Sequence, residues 1–177
     1  EQHIKRERAT SNICTASALM ASMTGFYCVY NGPEGLRRAA ETAHLAAATV
    51  ARALEAMDYR LASKEFFDTL EVEAEAAVVQ SLALEQGINF YYPSEGRVRM
   101  SFDEVTTAAE IETVVSIFAA AKGKKAKAVK AVTESCVPTA LRRQSPYLQE
   151  PVFNAYRSES ALMRYIKQLE LRDISLA

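Results

Sequence analysis

The sequence predicts an α+β fold: a long helical pair followed by a β-α-β-β-α unit, an open sheet covered by helices. Three observations lead there. The first 57 positions are rich in alanine and show none of the two-residue alternation of strands. From Phe66 onward, Leu70, Val72 and Ala74 alternate with Thr69, Glu71 and Glu73, the pattern of a half-buried strand. Farther on, Ile111, Val114, Val115 and Phe118 return to the i, i+3, i+4, i+7 spacing of a helix with one buried face. Strands and helices mixed in this order make a small sheet with helices packed on it.

Thr10-Ser11-Asn12 carry side chains that accept backbone N–H bonds at helix starts, so the first helix begins near Ile13. Asn31-Gly32 is its stop, and Pro33 suits the first turn of a second helix reaching about Met57. After the Phe66–Ala74 strand, Ala76 to Glu85 reads as a short helix stopped by Gly87. A second strand takes Ile88-Asn89-Phe90-Tyr91-Tyr92, and Pro93-Ser94-Glu95-Gly96 form a turn. Val98, Met100 and Phe102 then alternate with Arg97, Arg99 and Ser101 in the returning strand. Thr106 or Thr107 caps the next helix. Gly123 to Pro151, rich in Lys, Ser, Gln and Pro, reads as an irregular connector. A last helix carries Leu162, Tyr165, Ile166 and Leu169 on one face behind a Ser158 cap. This divides the chain into a helical segment (1–57), an α+β small domain (58–123) and a linker with a terminal helix (124–177).

Composition narrows the function classes. Of 177 residues, 49% are apolar and 24% charged, with a net charge of −1, so the chain lacks the field that nucleic acids select. Cys14, Cys28 and Cys136 form no CxxC pair, which argues for a reducing compartment and against a zinc site. No apolar run is long enough to span a bilayer. The opening Glu1-Gln2-His3-Ile4-Lys5-Arg6 is neither a signal peptide nor a methionine start and reads as an internal cut, leaving an upstream targeting segment open.

One junction stands out as a candidate site. Lys5, Arg6 and Arg8 precede Thr10, Ser11 and Asn12 at a predicted helix N-terminus, where free N–H groups and the helix dipole favour a phosphate or carboxylate. A plain cap among solvated charges is the rival reading. The run Lys122, Lys124, Lys125, Lys127 and Lys130 fits a polyanion contact or, without interleaved aromatics, a solvated face. His3 and His44 have no carboxylate or cysteine at ligand spacing, which argues against metal or acid–base roles. Tyr91-Tyr92 reads as half-buried strand, and Glu71, Glu73 and Glu75 as a wet strand face. Spacing alone stops at an α+β domain with one anion site.

Specific words go further. The run from Glu1 to Ala16, with its core Ala9-Thr10-Ser11-Asn12-Ile13-Cys14, resembles the EQHIRREKATSNICTA segment of the glycine cleavage P-protein family. Gly32-Pro33-Glu34-Gly35-Leu36, Phe66-Phe67-Asp68-Thr69-Leu70, Gly87-Ile88-Asn89 and Ser101-Phe102-Asp103-Glu104 echo the family in order. So do Pro151-Val152-Phe153-Asn154, Ser158-Glu159 and Asp173-Ile174-Ser175-Leu176. Glu150 and Arg157 stand where the family word has histidines, and Gln144 where it has Thr.

The resemblance implies a fragment from the later part of the parent's N-terminal half, with a sheet like the C-terminal small domain of type I pyridoxal-phosphate aminotransferases. It implies a parent that decarboxylates glycine with pyridoxal phosphate and passes the aminomethyl group to a lipoylated H-protein. The parent is expected to be a homodimer, cytoplasmic or in the mitochondrial matrix of a eukaryote. The lysine that holds the cofactor lies, in the family, in the other half; Lys5, Lys64 and Lys167 stand in no such context, so this chain is expected to be inactive alone. Thr10, Ser11 and Asn12 are similar to a turn that reaches the cofactor phosphate in related enzymes, and are the candidate cofactor-binding residues. The alternative is a non-catalytic partner-binding domain derived from the family, for which the departures at Glu150 and Arg157 speak.

Overall fold

The computed structural model describes residues 17–172 and Ile174. Its elements, in order, are α1 (Ala18–Glu55), β1 (Arg60–Leu61), β2 (Thr69–Glu73), α2 (Ala76–Glu85), β3 (Tyr91–Ser94), β4 (Arg97–Ser101), α3 (Ala108–Ala121), a 3₁₀ turn at Thr139–Leu141, α4 (Val152–Ala155) and α5 (Glu159–Glu170). They fall into two compact units. One runs Arg37–Ser145; the other takes the described residues on either side of it.

The expected helical pair is one helix broken at Gly32, whose φ of 61° and ψ of −177° are not helical. Pro33 follows at once, supplying a preset φ for the resumed helix and needing no N–H donor there. The first helix was expected to start near Ile13, which lies outside the described residues.

The core of the Arg37–Ser145 unit is assembled on one face of the sheet. Ala46, Ala47, Val50, Ala51 and Leu54 from α1 meet Leu70 and Val72 of β2, Val98 and Met100 of β4, and Val79, Ala83, Val115 and Phe118 from α2 and α3. The alanines explain how α1 comes so near: side chains of one carbon let helix backbones approach. The sheet order is β1-β2-β4-β3, antiparallel throughout. In β4 the residues Val98 and Met100 are buried while Arg97, Arg99 and Ser101 are exposed, so period two has sorted apolar from polar.

Four details depart from the sequence reading. The two-residue β1 has too little pattern to be seen. The second strand begins at Tyr91 rather than Ile88, because Ile88 N–H closes α2 on the Ala83 carbonyl after a left-handed Gly87. The turn is confined to Glu95-Gly96; Pro93 lies inside β3, which is tolerable because β3 is an edge strand. And α4, four residues long, was not foreseen.

The caps follow their chemistry. Thr107 receives the Glu110 N–H while the Glu110 carboxylate receives the Thr107 N–H, a capping box that opens α3. Ser158 receives the Ala161 N–H at the start of α5. At the end of α1, Asp58 adopts φ 63°, and Lys122 Nζ donates to the Met57 and Asp58 carbonyls at 2.8 and 2.7 Å. Tyr59 does the same for α3: its hydroxyl donates to the Phe118 carbonyl, 2.8 Å away in the helix's last turn.

Candidate functional site

Thr10, Ser11 and Asn12, with Lys5, Arg6 and Arg8, lie outside the described residues, so the predicted anion site has no geometry to report. The geometry that is on view belongs to residues outside that predicted site.

His44 is 2% exposed and Thr49 is 4% exposed; among the described residues these are the two buried polar side chains. Both sit on α1 and both hold the connector. Thr49 Oγ1 accepts the Val132 N–H at 3.0 Å, and His44 Nε2 accepts the Cys136 N–H at 3.1 Å. The other ring nitrogen, Nδ1, lies 2.8 Å from the Phe67 carbonyl oxygen. A carbonyl only accepts, so the proton is on Nδ1 and the lone pair on Nε2. Phe67 stacks on the ring at 5.4 Å and 15°. The Cys136 Sγ stands 3.3 Å from the same Nε2, and Cys136 is exposed. His44 therefore does have a cysteine partner. It was invisible to spacing because the two are 92 residues apart.

The lysine run divides in two. Lys122 caps α1 and lies 4.1 Å from the Tyr59 ring centroid, and Lys124 pairs with Asp58 at 3.4 Å. Lys125, Lys127 and Lys130 join Lys124 and Arg52 around a cavity of about 280 Å³ floored by Ala53, Ala56, Met57, Val115 and Val129. Among the described residues no aromatic or carboxylate lines it. A second cavity, of about 490 Å³, lies between β3, β4 and α3, with Tyr91, Arg99, Asp103 and Glu110 among its walls.

On the polar face of the sheet Glu71 takes Arg97 Nη1 on one oxygen at 2.5 Å, and Arg99 Nε on the other at 2.9 Å. These guanidinium bonds, Arg97 first, hold its carboxyl below the ordinary carboxylate range. Thr69 and Ser101 hydroxyls meet at 2.8 Å beside it, so the glutamate face is cross-strand pairing rather than a reaction site. Tyr91 is exposed under Arg99, 5.4 Å from its ring centroid, while Tyr92 is half-buried.

Of Glu150 and Arg157, Arg157 has a local structural task. Its Nη2 donates to Asn154 Oδ1 at 2.7 Å and to the Phe153 carbonyl at 3.2 Å, which holds α4 to the cap of α5. Glu150 offers its backbone carbonyl to the Phe153 N–H. Among the described residues no three His, Cys, Asp or Glu side chains are grouped to hold a metal ion, and no helix is long and apolar enough to cross a membrane.

A family model described as the glycine cleavage system P-protein matches residues 1–118. Curated relatives extend the match over the whole chain. Glycine dehydrogenase (decarboxylating) of Flavobacterium johnsoniae is 47% identical over 99% of this chain and 19% of its own length. The protein of that name from Bacteroides fragilis is 42% identical over 100% and 19%, and that from Thermosynechococcus vestitus 43% over 99% and 18%. A crystal structure of glycine decarboxylase (P-protein) of the glycine cleavage system, in inhibitor-bound form, superposes on 66% of this chain and 29% of that one, with a TM-score of 0.54 and 25% identity. Fold and matches together define an α+β segment spanning about a fifth of the length of its curated relatives. The chain belongs to the glycine cleavage system P-protein family.

Proposed function

We propose that this chain is a structural segment of a glycine decarboxylase, serving a parent that decarboxylates glycine and transfers its aminomethyl group to a lipoylated H-protein. The observation that carries the reading is the 47% identity to a glycine dehydrogenase (decarboxylating) over 99% of the chain. Identity at that level along the full segment also weighs against a degenerate, partner-binding descendant.

Pyridoxal phosphate, the cofactor of the family, supplies an electron sink for the carbanion left by decarboxylation. The described residues do not fit it. Lys122 and Lys124 are committed to the end of α1, and the cavity beside Lys125, Lys127 and Lys130 offers neither a ring to stack on a pyridine nor an acid for its nitrogen. The family resemblance, rather than this geometry, places the reactive lysine in the remainder of the parent. Thr10, Ser11 and Asn12 remain the residues proposed to face the cofactor phosphate, on the chemistry of a capped helix start. The segments 1–57, 58–123 and 124–177 are then a helix leaving a large domain, a small domain of aminotransferase type and a linker. The parent is read as a homodimer of the cytoplasm, or of the mitochondrial matrix in a eukaryote.

A chimera tests this. The matching segment of the Flavobacterium johnsoniae protein is replaced by this chain, and release of carbon dioxide from carboxyl-labelled glycine is measured with H-protein present. Activity in the chimera, with none from the 177-residue chain alone, is expected. A folded chimera without activity, or turnover by the chain alone, overturns the assignment.

A further inference from the structure

We propose that the cavity between α1, α3 and the lysine-rich connector binds a small amphipathic anion, an aliphatic carboxylate whose tail enters the floor and whose head meets the rim. The inference stands apart from the decarboxylase reading. It rests on an apolar hollow and on cations that the fold leaves without counter-charges.

The floor comes from two helices. On α1, Thr49, Arg52, Ala53, Ala56 and Met57 recur at the spacing of one helix face, and Val115 of α3 joins them. Alanine at 53 and 56 leaves the room that a longer side chain would fill. The connector closes the hollow and is pinned on both sides of it. Lys124 N–H donates to the Ala119 carbonyl at 2.9 Å where α3 stops, and Val132 N–H donates to Thr49 Oγ1 at 3.0 Å. Between those pins Val129 packs against the core. Thr49 is not spare for a ligand, since its Oγ1 also donates to the Leu45 carbonyl at 2.7 Å.

The rim decides the charge of the ligand. Arg52, Lys125, Lys127 and Lys130 line the cavity and are exposed, and among the described residues none of the four makes an ion pair. Lys124 is the exception, 3.4 Å from Asp58, which lies outside the lining. Hydrogen bonds from Arg or Lys to a carboxylate are roughly twice as strong as neutral ones, so an anionic head is selected over a neutral one of equal size. Volume limits the tail: about 280 Å³ falls just below the roughly 300–1,000 Å³ of pockets that take drug-sized ligands. A nucleotide is disfavoured, because no aromatic ring among the lining residues offers its base a face.

The test titrates the 177-residue chain, methyl-labelled at Ala, Met and Val, with heptanoate and follows the methyl signals by NMR. 1-Heptanol keeps the tail without the charge, heptylammonium reverses the charge, and propionate keeps the head without most of the tail. Heptanoate is expected to saturate a single site and to shift Ala53, Met57, Val115 and Val129. Its affinity is expected to exceed that of each control by roughly tenfold or more, the scale of a charge-assisted bond or of several buried methylenes. Lys127→Glu with Lys130→Glu, at two exposed positions, is expected to bring heptanoate down to the level of heptanol. Ala56→Leu is expected to weaken heptanoate and leave propionate unchanged. Heptanol or propionate matching heptanoate overturns the proposal, as does the absence of a saturable shift at the lining methyls. Shifts at Met20 and Met23 in place of Met57 overturn it too. Should the double variant not fold, the ordering of the ligands on the unaltered chain decides alone.

Discussion

At Gly32 the backbone takes a combination, φ 61° with ψ −177°, that only a residue without a β-carbon adopts freely. Space forbids a side chain as well: a β-carbon there would fall 2.2 Å from Arg157 Nη2 and 2.7 Å from the Phe153 carbonyl oxygen. The guanidinium can swing aside, but the carbonyl belongs to α4 and cannot. Gly32→Ala is therefore expected to destabilise the local packing by about 1–3 kcal/mol. Amide exchange should quicken in α4, α5 and the first half of α1, and Arg157→Ala in the same chain should restore only part of the protection. Unchanged exchange in Gly32→Ala would show that the kink relaxes without resistance. At this scale the sequence was half informative. Asn31-Gly32-Pro33 announced the break through the known conformational tastes of Gly and Pro. What the break accommodates, an arginine 125 positions later, is tertiary and has no local signature. His44 and Cys136 failed to be paired for the same reason.

The sheet shows how elements turn such local preferences into stability. Strand β2 presents Glu71 opposite Arg99 of β4, and Glu73 opposite Arg97, so alternation that buries Leu70 and Val72 also lines up opposite charges. Because Arg97 and Arg99 hold the Glu71 carboxyl below its ordinary range, its folded value lies under its unfolded one. The sign follows: the group stabilises the fold above the unfolded carboxylate value and loses that contribution as pH falls through the folded value. Glu110, lowered by the Thr107 N–H and hydroxyl, acts in the same direction. Denaturant midpoints of the chain and of Glu71→Gln should differ at neutral pH and converge in acid, and added salt should narrow the gap. A gap that widens on acidification would contradict the pairing. Elements with strong periodicity or caps were legible: α2 was expected at Ala76–Glu85 and is found there, and Ser158 caps α5 as its chemistry suggested. Leu162, Tyr165, Ile166 and Leu169 are indeed the half-buried face of α5. Edges were not, because the left-handed close of α2 consumes Ile88 and an edge strand admits Pro93.

For the whole chain, the most telling surface is one left exposed among the described residues. Leu19, Met20, Met23, Tyr27 and Tyr30 are exposed on the first half of α1, with Leu19 at 67% and Met20 at 61%. At 3.6 residues per turn they share an arc of about 100°, one continuous apolar stripe. Stripes of this kind on single chains mark contact surfaces or association hazards. Composition gave no hint of this, since the alanine-rich helix reads alike whether its partner is present or absent; the chain's 19% share of a relative's length supplies the missing context. In the parent, other segments are available to lie on that face. Alone, the chain should associate through it, and its sedimenting mass should rise with concentration. Leu19→Glu with Met23→Glu places two charges in the stripe, and glutamate is about as good a helix former as the residues it replaces. The double variant is therefore expected to keep its helical circular dichroism while its sedimenting mass drops toward that of one chain. If the unaltered chain is monomeric across the concentration range, or the variant associates equally well, the stripe is not the adhesive surface and the exposed tyrosines and methionines are simply tolerated by solvent.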